Sequence, residues 1–195
     1  MGKKNSRNTK GRIVSAAWKL FYEQGYDHTT VDEIIELSHT SKGSFYHYFE
    51  GKDALLSSLS YLFDEKYEEL ASNLDPDMDS LDQLLYLNRE LFSMIENSIS
   101  LDLLARLYST QLTTNGEKHH LDHSRLYYRL LRQIIVEGQN RGQLCTNLSA
   151  NEIVKLYALC ERALLYDWCI CNGEYSLRDY SSRVLPMFLG QLRVE

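Results

Sequence analysis

Only two prolines, Pro76 and Pro186, occur in 195 residues. Runs of strict apolar–polar alternation are also missing, and the two absences together exclude a strand-rich fold and predict an all-α protein. No apolar run approaches the roughly 20 residues that a membrane-spanning helix requires. The chain opens with MGKKNSRNTKGR in place of a secretory leader, so a cytoplasmic protein with no membrane partner is expected. Cysteine is scarce: Cys145, Cys160, Cys169 and Cys171, with no C-x-x-C pair. A disulfide framework is therefore not expected in a cytoplasmic chain. Cys160 falls on an apolar helical face, where it acts as a small core residue. Cys169 and Cys171 leave a soft-metal or redox pair open, without further ligands nearby. A glycine-rich phosphate loop, a nucleophile elbow and H-E-x-x-H are all absent, which argues against an enzyme and against a cofactor.

What is present is an uneven distribution of charge. Residues 1–19 carry six cations (Lys3, Lys4, Arg7, Lys10, Arg12, Lys19) and no acid. Residues 54–195 carry 13 Lys and Arg against 20 Asp and Glu, a net of −7. An acidic chain with one basic end suits docking to DNA by that end, although a solvated tail has the same composition.

The stretch from Thr29 to Leu56 is the most informative. Thr30 with Glu33 three positions on forms a capping box, and Val31, Ile34 and Ile35 continue at helical spacing to Ser38. His39, Thr40 and Ser41 interrupt the pattern. Phe45 and Phe49 then recur at i, i+4, which leaves Lys42, Ser44, Tyr46 and His47 on the other faces of a helix two turns long. A cation, hydroxyls and an imidazole are the groups that hydrogen-bond to phosphates and base edges. The pattern predicts a helix-turn-helix with Lys42–Tyr48 as the recognition helix. Thr40, Ser44 and His47 are placed to read bases, with Lys42 shared between base and phosphate.

These residues resemble the N-terminal domain of TetR-type transcriptional repressors over roughly Thr9 to Leu56. The shared features are an Ala-Ala pair before Leu20-Phe21, Gly25-Tyr26 closing the first helix and Thr29-Thr30 opening the second. Ser41-Lys42-Gly43 then leads into Phe45-Tyr46 and Phe49, and Lys52 starts the fourth helix. The family's usual turn glycine is replaced by His39, a type that tolerates positive φ better than most. The resemblance implies DNA contacts from Thr29, Thr30, Thr40, Lys42, Gly43, Ser44, Tyr46, His47 and Lys52, with Tyr46 and Lys52 on the backbone. It also implies a three-helix DNA-binding domain over residues 1–53 and a larger helical effector-binding and dimerisation domain over 54–195, about nine helices in all.

Periodicity places helix 1 over about 9–24, and a fourth helix running without a break from Lys52 past Leu70 to the turn-rich NLDPDMDS. Further helices are predicted over about 81–96, 101–112 and 124–138, then from the Ser149 cap to about Cys171. The last runs from the Ser176 cap to Leu192, with Pro186 as an internal kink.

The last two helices are apolar over more of their circumference than one core face needs. The resemblance implies that they pair with a second protomer in a four-helix bundle, through Leu156, Leu164, Trp168, Leu185, Phe188 and Leu189. A thick monomeric core has the same composition. A homodimer would place two recognition helices about one DNA turn, ~34 Å, apart on a palindromic operator. Six of the fourteen tyrosines, Tyr86, Tyr108, Tyr127, Tyr128, Tyr157 and Tyr166, fall on helices of the second domain. They suit an apolar pocket for a small-molecule effector as well as they suit plain helix packing. His119, His120 and His123, with Asp122, offer a possible metal site that is equally a solvated helix start; no metal is assigned. The expected function is a homodimeric repressor released by a small, partly apolar effector. An activator, or a regulator controlled by a protein partner, shares the same features.

Overall fold

A computed structural model describes residues 2–56, 58–113 and 125–194 of the chain. Among them are ten α-helices and one 3-10 turn; the only β-type pairing there is an isolated bridge between Leu144 and Arg193. No helix among the described residues is long and apolar enough to cross a membrane. The chain divides into two compact units, residues 1–60 with 102–115, and 61–101 with 116–195. The division is not a single cut after Asp53: one later helix groups with the N-terminal residues.

The first unit holds α1 (Gly2–Gln24), α2 (Val31–Leu37), α3 (Lys42–Tyr48), α4 (Lys52–Leu56) and, from Asp102 onward, α7 (Leu101–Thr113). Helices of seven and five residues cannot stand alone, so α1 supplies the surface that they bury. Ile13, Ala17 and Phe21 of α1, Ile34 of α2, Phe45 of α3 and Leu55 of α4 are all buried, and α1 packs on both α2 and α3. Gly25, at φ 83, ends α1 in the left-handed conformation that glycine adopts without steric cost. His39 occupies the helix-turn-helix corner at φ 50, so an imidazole residue holds the position where the resemblance would have put glycine.

The fourth helix breaks where sequence periodicity carried it on. α4 ends at Leu56, and α5 begins at Leu59 and runs to Ser72. Ser58 explains the interruption: its hydroxyl donates to the Leu55 carbonyl and accepts from the Trp18 indole at 2.9 Å. A serine bonded to nearby backbone competes with the helical ladder, an effect that apolar spacing does not register.

The second unit contains α5 from Tyr61 onward, α6 (Ser80–Ser98), α8 (Leu126–Asn140), α9 (Ala150–Ile170) and α10 (Leu177–Leu189). α10 packs along α6 and against α9, and α8 packs on both α6 and α9. Asp79, Ser149 and Ser176 cap α6, α9 and α10 with their side chains, and Ser149 forms a full capping box with Glu152. α10 reaches only Leu189 and tightens into a 3-10 turn at Gly190–Leu192, shortly after Pro186 removes a helical donor. Beyond it Arg193 donates to Asp79 and Asp82, both at 2.8 Å, which ties the C-terminal end to the start of α6.

Candidate nucleic-acid interface and the buried polar cluster

α3 begins with a serine cap and ends at an extended Phe49. Ser41 Oγ accepts the Ser44 amide at 3.1 Å and shares a hydrogen with the Ser44 hydroxyl at 2.9 Å. Phe45 and Phe49 face the core, their rings 5.9 Å apart. Lys42, Gly43, Tyr46 and His47 are exposed, while Ser44 and Thr40 are half-buried. A rigid, capped helix thus presents a cation, a phenol and an imidazole outward, with Tyr46 braced edge-on against Phe45 at 5.3 Å. Lys42 extends toward Asp32 of α2, 3.2 Å away, an exposed pair that contributes little stability.

Three other residues linked to DNA through the resemblance are engaged inside the unit. Thr29 is buried, and its hydroxyl donates to the Gly25 carbonyl at 2.8 Å, so its side chain closes α1. Thr30 caps α2: its hydroxyl donates to Glu33 Oε2 at 2.8 Å, and its backbone amide donates to the same oxygen at 2.7 Å. These bonds hold the Glu33 carboxyl below its usual range. Lys52 Nζ donates to the carbonyls of Tyr26 at 2.7 Å and Thr29 at 2.9 Å, which leaves one of its three protons for a phosphate.

The six tyrosines separate. Tyr127 and Tyr157 converge on one buried carboxylate, Glu161 of α9. Tyr127 donates to it at 2.7 Å, Asn88 donates at 2.9 Å, and Tyr157 lies alongside with its hydroxyl donated to the Leu84 carbonyl at 2.9 Å. The Tyr67 ring of α5 lies tilted against Tyr127, with centroids 5.1 Å apart, and Tyr128 packs against Tyr127 at 4.8 Å. Tyr86 is half-buried beside a 440 Å³ groove that also meets Met78, Leu85, Asn88, Arg89 and Ser181. Tyr166 is exposed on α9, and Tyr108 lies on α7 in the first unit. Glu161 and Asn88 escaped the sequence reading. The available signal was an acid four positions after Tyr157, in the middle of the apolar face of α9. Burial drives the Glu161 carboxyl up from its ordinary value, against the lowering by Asn88 and the tyrosines.

The residues expected at a dimer interface also separate. Leu164, Trp168, Leu185 and Leu189 are buried within the protomer, Leu156 is half-buried, and Phe188 is exposed. Leu164 and Trp168 line the inner face of α9, and Leu185 and Leu189 that of α10, so all four sit in the protomer core. Leu159, Tyr166 and Ile170 of α9, with Met187 and Phe188 of α10, are the apolar side chains that face outward.

His119, His120, Asp122 and His123 lie outside the described residues, among which no group of three metal-ligating side chains gathers. Burial pushes the Cys169 thiol up to about 11, and Cys171 is also raised, by desolvation, Asp167 and Glu174. Both shifts oppose the thiolate that a soft metal or an exchange reaction needs.

A capped two-turn helix that follows a tight corner, packed on α1 and polar outward, defines a helix-turn-helix DNA-binding protein. Residues 13–59 match the family profile of bacterial regulatory proteins, tetR family. The regulator QacR of Staphylococcus aureus is 27% identical over 157 residues, which cover 77% of this chain and 81% of that one. The negative regulator IcaR of the Staphylococcus epidermidis biofilm operon icaADBC is 33% identical over 116 residues, covering 57% of this chain and 60% of its own. Among solved structures, the TetR-family repressor FadR of Thermus thermophilus, in complex with lauroyl-CoA, superposes with a TM-score of 0.73 at 24% identity. That superposition covers 95% of this chain and 96% of that one. The chain resembles TetR-family transcriptional regulators, with the family model matched over residues 13–59. Its relatives are regulators and not enzymes.

Proposed function

We propose that the chain is a homodimeric repressor that holds a palindromic operator through two copies of α3, and that a small, partly apolar effector bound in the second unit releases it. The outward display of Lys42, Tyr46 and His47 on a helix fixed by Phe45 and Phe49 carries the DNA-binding half of this reading. Two-turn helices make few base contacts, so a second copy is needed for useful specificity. The outward apolar residues Leu159, Tyr166, Ile170, Met187 and Phe188 support a symmetric partner, because a helix apolar on two faces buries both. The effector half is supported by the tyrosine-rich interior of the second unit and by FadR proteins solved with acyl-CoA molecules, stearoyl-CoA in Bacillus subtilis and lauroyl-CoA in Thermus thermophilus. Release then requires a differential affinity of the effector for the two states of about 1–3 kcal/mol.

Selection of duplexes from random DNA tests the reading. The full chain is expected to enrich an inverted repeat with half-sites about one helical turn (~34 Å) apart. His47→Ala is expected to change the selected sequence at one or two base pairs, with about 1–3 kcal/mol of discrimination lost and non-specific affinity retained. Binding without sequence preference, or enrichment of a single half-site, would overturn it.

A further inference from the structure

α7 reaches the DNA-binding unit from far along the sequence, and residues on both sides of it belong to the other unit. Its attachment centres on Arg106. The guanidinium Nε donates to Asp102 of the same helix at 2.8 Å, and Nη2 donates to Asp27 at 2.6 Å, in the loop between α1 and α2. The group also lies over the ring of Tyr26, 5.1 Å from its centroid. Lys52 approaches the same ring at 4.2 Å, and the Tyr26 hydroxyl donates to Asp53. One aromatic ring therefore gathers Arg106 and Asp102 of α7, Asp27 of the loop, and Lys52 and Asp53 at the first turn of α4.

The position of this cluster gives it a consequence. Tyr26 and Asp27 sit four and three residues before Thr30, the cap of α2. Lys52 grips the carbonyls of Tyr26 and Thr29, and it opens the helix that follows α3. The loop thus fixes where α2 starts relative to α4, with α3 held between them. Burial and Asp53 raise the Tyr26 phenol far above its ordinary value, so it remains a donor at any physiological pH. Its pair with Asp102 likewise keeps the Arg106 guanidinium charged. A lysine in place of Arg106 would supply charge without the planar fork that serves two carboxylates and a ring face together.

We propose that Arg106 is a positioning residue for DNA binding: it ties the α1–α2 loop to α7, so that a displacement of α7 shifts the helix-turn-helix out of its binding geometry. The proposal rests on the DNA-binding reading above and adds to it a residue that does not itself contact DNA.

The experiment uses the full chain and the duplex that it selects. Linkage is reciprocal, so if α7 sets the geometry of the helix-turn-helix, operator binding must in turn steady α7. Amide exchange over residues 101–113 is expected to slow on operator binding in the wild type and to be insensitive to operator in Arg106→Gln. Operator affinity in that variant is expected to fall about tenfold. The slope of log affinity against log salt is expected to stay unchanged, because no phosphate contact is removed. Arg106→Lys should restore little of the affinity, Asp27→Asn should reproduce the loss, and the double variant Asp27→Asn, Arg106→Gln should add nothing to either. If Arg106→Gln loses helicity, the comparison passes to Arg106→Lys and Asp27→Asn, where wild-type operator affinity overturns the proposal. It is equally overturned if α7 exchange ignores operator in the wild type, or if the salt slope drops by about one unit, which marks a direct phosphate contact. A wild-type chain that selects no duplex overturns the DNA-binding reading itself, a result distinct from all of these.

Discussion

Asn88 of α6 donates its side-chain amide to the carboxylate of Glu161 on α9, 2.9 Å away across 73 positions of sequence. Both residues are buried, and Glu161 is the charged side chain within the described core. Its other close donor is the Tyr127 hydroxyl. Hydrogen bonds from neutral donors soften the desolvation of a carboxylate without cancelling it, and the raised Glu161 value is the result.

The stability of the second unit should therefore fall with pH. With its folded-state value raised, Glu161 holds a proton in the folded chain that the unfolded chain releases near its ordinary value of about 4.3. Below that value both states are protonated and the group has no effect. As pH rises from there through the folded-state value, stability declines by up to about 1.4 kcal/mol per pH unit. Glu161→Gln should remove that decline and exceed the wild type in denaturant midpoint at pH 8. Glu161→Leu should not match it, because Asn88 and Tyr127 would lose a buried acceptor, at about 1–3 kcal/mol each. Urea titrations of the three proteins at pH 5 and pH 8 make the comparison. A wild type whose midpoint rises between those pH values would refute the assignment of a raised value.

Gly138 marks a second dependence, where α8 meets the start of α6. A Cβ built there would lie 2.6 Å from Ser80 Cβ and 2.8 Å from Leu144 Cδ1. Ser80 cannot retreat easily, since it is buried and its backbone amide donates to the Gln143 side chain at 3.0 Å. Gly138→Ala gains about 1 kcal/mol in helix propensity. The forced shift costs about 1–3 kcal/mol. A lower denaturant midpoint with an unchanged m-value is the expected result; a midpoint above the wild type would mean that α6 and α8 separate at little cost.

The parts of this fold that were legible in the sequence are those set by neighbours a few positions apart. Thr30 with Glu33 and Ser149 with Glu152 are capping boxes by spacing alone, and both form. The recognition helix runs from Lys42 to Tyr48, as Phe45 and Phe49 at i, i+4 predict. What escaped depends on distant partners. Nothing in LDLLARLYST reveals that Arg106 reaches Asp27, 79 positions earlier, or that α7 groups with the first unit. The break at Ser58 depends on Trp18, 40 positions away. Glu161 reads as one more surface acid until Asn88 and Tyr127 are found beside it. The two faces of α9 pose a different difficulty. Periodicity finds apolar stripes but gives no sign of which stripe the protomer itself covers, so Leu164 and Leu159 are equivalent in sequence and opposite in the fold.

The cap of α2 gives a local test of the link between fold and DNA binding. Thr30→Ala removes the acceptor for the Glu33 amide and a hydroxyl donor to the Glu33 carboxylate. A loss of about 1 kcal/mol in stability is expected. Because α2 supports α3, operator affinity should weaken too, while the salt slope stays constant if Thr30 acts through the fold. A slope reduced by about one unit would instead make Thr30 a phosphate contact.

Assembly offers the sharpest contrast, because core and outward residues alternate along the same helices. Leu159 and Phe188 are 55% and 57% exposed in the protomer, whereas Leu164 and Leu189 are 6% and 0% exposed. If the outward face meets a second copy, Leu159→Glu with Phe188→Glu places four carboxylates in one symmetric interface, two from each protomer. Burying such charges without partners costs several kcal/mol, more than a moderate dimer can absorb. The double variant should sediment as a monomer with its helical signal and denaturant midpoint nearly intact, since neither side chain supports the protomer core. Its affinity for the selected palindrome should fall to that for random DNA. Leu164→Glu with Leu189→Glu should behave differently: both replace core side chains, so the protomer itself should lose cooperative unfolding. If the Leu159, Phe188 variant stays dimeric and binds the palindrome as tightly as the wild type, the second copy docks elsewhere. If it unfolds while the Leu164, Leu189 variant stays folded, the two faces of α9 have been placed the wrong way round.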